Sequence, residues 1–161
     1  MNLPCRVELH HVPCGTLEIG EFRVEAAFVC HPGPTVGYRI EAGGRVLAYL
    51  PDDEPALGVA SFPLGTEWPS GADLARGADL LLHDGQYTRE EYARHVGWGH
   101  SSVHDALAFA RLAGVPRLAL FHHDPGRDDD ALESCVAAAV ADVRPGFAVT
   151  PAAEGRSFDL G

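Results

Sequence analysis

Three leucines, Leu80-Leu81-Leu82, run without a break into His83-Asp84-Gly85. A short apolar run closed by a glycine reads as a buried strand. A strand that delivers titratable groups at its C-terminal end is a common way to build a site. The pattern recurs along the chain. His31 follows Phe28-Val29-Cys30, Asp52 follows Leu47-Ala48-Tyr49-Leu50, and His122-His123-Asp124 follows Leu118-Ala119-Leu120-Phe121. Strand ends on one edge of a sheet are neighbours, so these groups can converge. His100 adds a fifth, on a loop framed by Gly97 and Gly99. Two glycines let the backbone around Trp98 take unusual φ/ψ and aim His100. Ser101 or Ser102 then caps a following helix.

Taken in order, the chain alternates first. Arg6–His10 and Thr16–Ile19 read as strands. Phe22–Cys30 starts as an alternating strand and becomes continuously apolar, and His31-Pro32-Gly33-Pro34 ends it. Val36–Glu41 and Arg45–Leu50 pair across a turn at Ala42-Gly43-Gly44. Residues 56–71 are rich in Gly, Pro and Ser and carry no assignment. Ala72–Arg76 reads as a short helix, Leu80–Leu82 as a strand and Arg89–His95 as helical. Ser101–Ala113 has an apolar period near 3.6, and Gly114 stops it. Arg117–Phe121 is a strand, Asp128–Val143 a helix with an acidic start, and Phe147–Thr150 a last strand. Antiparallel strands followed by strand–helix–strand–helix–strand predict an α/β chain of α+β-like order. Its mixed sheet carries helices on one face.

A chain of 161 residues without a linker or repeat is one domain, 1–161. Its net charge of −11 repels nucleic acid at long range but suits divalent cations. Nucleic acid is therefore an unlikely partner on charge alone. The four cysteines form no CxxC pair and read as free thiols. No apolar run reaches about 18 residues, so no membrane partner is expected. The N-terminus lacks a signal-peptide pattern, which points to the cytoplasm.

Imidazole and carboxylate at these strand ends are ligands that zinc, manganese or iron favour. A carboxylate can bridge two such ions, and the pair can clamp a phosphoryl group. Each motif has a blander reading. His83 alone is as well explained as a strand-end histidine bonded to a loop. Only one of His122 and His123 can face the site if the strand alternates through them. His95 and His104 read as surface or helix residues. Glu54, Asp124 and Asp128–Asp130 read as capping or solvated acids. Tyr38, Tyr49 and Trp98 read as core and pocket wall.

As an ordered set, HPGPTVGYRI, LAYLPDDEP, LLHDGQYTREEY, GWGHSS and LALFHHDP resemble the C-terminal half of metallo-β-lactamase-fold hydrolases. The similar branch contains tRNA 3′-processing endonuclease and phosphodiesterases. The resemblance spans about Val7 to Leu132. It implies half of an αββα sandwich, a partial domain of that kind. It also implies phosphodiester hydrolysis by a metal-activated hydroxide at a dinuclear site of zinc, manganese or iron. His31 and His122 match metal ligands, and Asp52 the bridging carboxylate. His100 matches the histidine that serves the scissile phosphate. Asp84 stands where a supporting Glu often follows the histidine. The family's HxHxDH motif is absent, and His10-His11 does not replace it.

Three ligand positions are too few to hold a dinuclear centre. The resemblance thus implies weak or no stoichiometric metal binding and no activity by this chain alone. A truncated reading frame, a split protein and a short paralogue all remain open. The alternative is a non-catalytic remnant or subunit that needs a partner chain. Without an RNA-binding basic arm, a small phosphodiester is the expected substrate. Leu17, Ile19, Val24, Ala26 and Phe28 are expected to form a bare apolar face. That face would drive self-association or pairing with a complementary N-terminal half.

Overall fold

The computed structural model describes residues 14–57 and 69–161, together with Val7 and Phe62. The expected strand at Arg6–His10 and the pair His10-His11 lie outside the described residues. Among the described residues, seven strands form one sheet in sequential order. Strands β1 (Gly15–Ile19), β2 (Phe22–Phe28), β3 (Val36–Ala42) and β4 (Arg45–Leu50) make an antiparallel meander. Gly43 and Gly44 turn the β3–β4 hairpin at φ 56° and 77°. Two consecutive positive φ angles are what a tight type I′ hairpin needs. Strands β5 (Leu80–Asp84), β6 (Arg117–Phe121) and β7 (Ala148–Pro151) then add to β4 in parallel.

Parallel neighbours require crossovers, and helices fill them. Helix α1 (Ala72–Ala75) precedes β5, α2 (Arg89–Tyr92) and α3 (Val103–Ala113) precede β6, and α4 (Asp129–Val143) precedes β7. Each crossover steps one strand in the same direction. Crossovers of one hand then place their helices on the same face of the sheet. The core lies between that face and the helices. Ala48, Leu50, Leu81, Leu118 and Leu120 supply the sheet side, and Leu74, Leu107, Phe109, Val136 and Ala139 the helix side. Ser102 caps α3 by accepting from the Asp105 N–H, and Asp128 caps α4 by accepting from the Ala131 N–H.

The strand directions set where the site can be. Strand β2 runs antiparallel to β3, and β3 to β4, so β2 runs with β4, β5 and β6. The C-terminal ends of these four strands therefore share one edge of the sheet. Those ends lead to His31, Asp52, Asp84 and His122.

On the opposite face, which carries no helix among the described residues, the expected apolar set is split and Leu17 is half-buried. Val24 and Ala26 are buried, whereas Ile19, Phe22 and Phe28 are exposed. Register explains the split. Val24 sits between Leu17 and Ile40, and Ala26 opposite Tyr38, so larger neighbours cover them. Ile19, Phe22 and Phe28 lie at strand ends and have fewer flanking side chains.

Candidate functional site

Asp52, Asp84, His100 and His122 come together at the shared edge. Each offers a ligand atom, and the four atoms lie within 4.8 Å of one another. His122 Nε2 is 3.5 Å from Asp52 Oδ1. The His100 and His122 rings stack with centroids 4.8 Å apart. His122 reaches this position because its backbone leaves the extended region, with φ 56°. A non-glycine residue in the left-handed region is strained, and such strain clusters at functional sites. The turn also releases His122 and His123 from strict strand alternation. His123 lines a separate cavity with Arg127, Pro151 and Arg156.

Alternation does decide His83 and Asp84. His83 shares the helix-side face with Leu81, is fully buried and packs on Phe109 with ring centroids 4.9 Å apart. Asp84 points the other way, also fully buried. One Asp84 oxygen accepts from the Gln86 and Ser101 N–H groups at 3.0 and 3.3 Å. The other lies 2.7 Å from His100 Nδ1. That hydrogen bond is the main cause that raises the His100 imidazole above its ordinary pKa. It also assigns the Nδ1 proton and leaves Nε2 as the free end of the ring.

The loop before His100 makes a close approach. Gly99 has φ 90°, and a Cβ there would lie 2.3 Å from His31 Cδ2 and 2.5 Å from Pro32 Cδ. His31 consequently stands edge-on to His100 with centroids 5.4 Å apart. Its Nδ1 is held within its own loop, 3.1 Å from the Gly33 N–H and 3.0 Å from the Thr35 hydroxyl. His31 is thus beside the four-residue group without being one of its members.

Glu54 differs from its reading as a capping or solvated acid, and Asp53 beside it is buried too. Glu54 is 1% exposed and accepts from the Tyr92 hydroxyl and from the Gly97 and Gly99 N–H groups. Those donors lie 38 to 45 residues away, so no local sequence signal marks the contact. Asp53 is also fully buried, and burial pushes its carboxyl up to about 8. Its Oδ2 faces His83 Nε2 at 3.8 Å, and neither atom has a hydrogen-bond partner. Burial pushes the His83 imidazole down. Asp124 and Asp128 do serve local backbone, at Gly126 and Ala131.

Trp98, expected in a pocket wall, is 59% exposed. It meets His95 edge-on at 4.8 Å, and His95 stacks on Tyr87 at 4.6 Å. Cys14, Cys30 and Cys135 are free thiols. Among the described residues, no helix is long and apolar enough to cross a membrane.

The donor set fits a divalent metal. Two carboxylates and two imidazoles with atoms within 4.8 Å of one another are donor types that zinc, manganese or iron favour. Of the three ligand positions that the resemblance implies, Asp52 and His122 belong to this group and His31 does not.

Residues 5–123 match the family model described as a beta-lactamase superfamily domain. The ribonuclease Z of Brevibacillus brevis is 30% identical over 146 residues, which cover 91% of this chain and 38% of that protein. The chain thus spans well under half the length of this curated relative. The metallo-beta-lactamase fold protein YhfI of Bacillus subtilis superposes with a TM-score of 0.67 at 21% identity, covering 92% of this chain and 54% of that one. Human tRNase Z, short form, gives 0.63 at 22% identity, covering 90% and 44%. Ribonucleases among the relatives correct the expectation that nucleic acid is an unlikely partner. That expectation rested on net charge and on the lack of a basic arm, and net charge governs long-range steering and not the chemistry of a local site. The chain belongs to the beta-lactamase superfamily domain family, with the metallo-β-lactamase fold and on the branch that contains the ribonuclease Z proteins.

Proposed function

We propose that the chain carries a site that hydrolyses nucleic-acid phosphodiester bonds. The observation that carries this reading is the Asp84–His100 hydrogen bond inside the four-residue group. The ribonuclease relatives support the substrate class. Asp52 and His122 would hold a divalent metal, with His100 and Asp84 at the same opening. A metal there supplies positive charge to the phosphate and activates water for attack.

The remaining work falls to the chain's own groups. Asp84 fixes the His100 ring, so Nε2 faces outward. The hydrogen bond to Asp84 raises the imidazole pKa above its ordinary value, which favours a second proton on the ring. His100 can then offer that proton, or its charge, to the leaving oxygen of the phosphodiester. Trp98, exposed two residues away, presents an aromatic face on which a base can stack.

The test is hydrolysis of a 3′-extended RNA and of bis(p-nitrophenyl) phosphate, with zinc or manganese added. The expected result is turnover of the RNA that falls about 10²–10⁴-fold in His100→Ala. A second reading, a chain that keeps the fold and the cation group without turnover, rests on the absent HxHxDH motif. No hydrolysis of either substrate by metal-loaded protein would overturn the first reading in favour of the second.

A further inference from the structure

We propose that Glu54 is a positioning residue: its carboxylate clasps the Gly97–Gly99 loop and so sets where His100 stands. The inference rests on the reading of His100 as the residue that meets the phosphodiester. Four contacts shorter than 3.2 Å converge on two oxygens. Oε1 accepts from the Tyr92 hydroxyl and the Gly97 N–H at 2.8 Å each. Oε2 accepts from the Gly99 N–H at 2.8 Å and from the same Gly97 N–H at 3.1 Å. Every partner is a donor, and a carboxylate can only accept when ionised.

Besides the clasp, the Trp98 N–H donates to the His95 carbonyl at 3.1 Å. Gly97 and Gly99 sit at φ 86° and 90°, where the chain gains nothing from a helix or strand ladder. Two glycines make the segment entropically expensive to order. Hydrogen bonds to a charged group are the stronger kind, so a buried carboxylate suits the task. Glu54 is itself anchored, because its own N–H donates to the Cys30 carbonyl at 2.9 Å. One residue therefore joins three segments: the one leading to His31, the one following Asp52 and the one leading to His100. Ser101 adds a second tie, donating its hydroxyl to the Asp53 carbonyl at 2.7 Å. Between them, Glu54 and Ser101 bracket His100 on both sides.

Glu54→Gln replaces one acceptor oxygen with an NH₂ group and sets donor against donor in the clasp. Tyr92→Phe removes one donor and leaves the carboxylate in place. The experiment is amide hydrogen exchange by ¹⁵N NMR on the full chain and on both variants, with the His100 ring resonances recorded alongside. In Glu54→Gln, exchange at Gly97 and Gly99 should rise at least about tenfold, and the His100 ring signals should shift. The core amides of Leu81, Phe109 and Leu118 should keep their protection. Tyr92→Phe should move the same loop amides in the same direction by a smaller factor, and it decides the matter if Glu54→Gln does not fold.

Unchanged Gly97 and Gly99 exchange would overturn the proposal. So would equal loss of protection in loop and core, which would mean that Glu54 serves the fold as a whole. These readouts need no turnover. A wild-type chain that hydrolyses nothing would sink the proposed function and leave the clasp standing. Where turnover is present, Glu54→Gln should lower kcat more than it raises KM.

Discussion

At the residue scale, the site depends on a few positions with no tolerance for a larger group. Gly99→Ala would place a methyl carbon 2.3 Å from the His31 ring in a backbone conformation that L residues rarely adopt. Strain of that kind costs about 1–3 kcal/mol. The expected outcome is a destabilised protein in urea titration, with the His31 and His100 ring signals displaced in NMR spectra. Stability and ring signals equal to wild type would show that the loop can give way. Asp84→Asn tests the support of His100 separately. It should lower kcat for phosphodiester hydrolysis by at least tenfold with KM little changed, as measured by initial rates. Trp98→Ala should do the reverse for RNA. Loss of a stacked base costs about 1–3 kcal/mol of binding, so KM should rise while turnover of bis(p-nitrophenyl) phosphate stays the same.

At the element scale, the strands were legible because alternation and apolar runs record burial directly. Arg45–Leu50 and Arg117–Phe121 have the bounds that their sequence implies. The departures come from pairing, which a single stretch does not carry. Strand β5 continues through His83 and Asp84 because Leu50 and Phe121 on the flanking strands pair with them. Helix α2 stops at Tyr92, short of His95, although helix formers continue. There Tyr92 turns to Glu54 and His95 to Tyr87.

The start of β4 and β5 also carries a pH dependence. Asp79 accepts from the Val46 N–H at 2.8 Å and pairs with Arg45 at 3.1 Å. These contacts, the backbone hydrogen bond first, hold its carboxyl below the ordinary range. A lowered carboxyl pKa adds stability above the unfolded value near 4, and that stability is lost as pH falls through the folded value. Thermal unfolding of wild type should therefore weaken from about pH 4 downward. Asp79→Asn should show a shallower fall across that window, and a fall equal to wild type would contradict the assignment.

At the scale of the whole molecule, the order of elements was enough to place the site. Running the meander into parallel crossovers sends β2, β4, β5 and β6 the same way, so the groups after them meet at one edge. What stayed hidden was long-range. Glu54 finds its donors 38 to 45 residues on, and Trp98 stands exposed between two of them, Gly97 and Gly99. The resemblance supplied roles for His31 and Asp84 that composition and spacing alone do not assign. The placement of His31 outside the four-residue group came only with the folded loop.

The central claim is that Asp52 and His122 hold a cation on that edge, beside the Asp84–His100 pair. Crystals grown with zinc, with diffraction recorded on both sides of the zinc absorption edge, test it most directly. The expected result is a strong anomalous peak within coordination distance of Asp52 and His122, lost in an Asp52→Ala/His122→Ala variant. No peak at these residues, or a peak unaffected by removing both side chains, would contradict the claim.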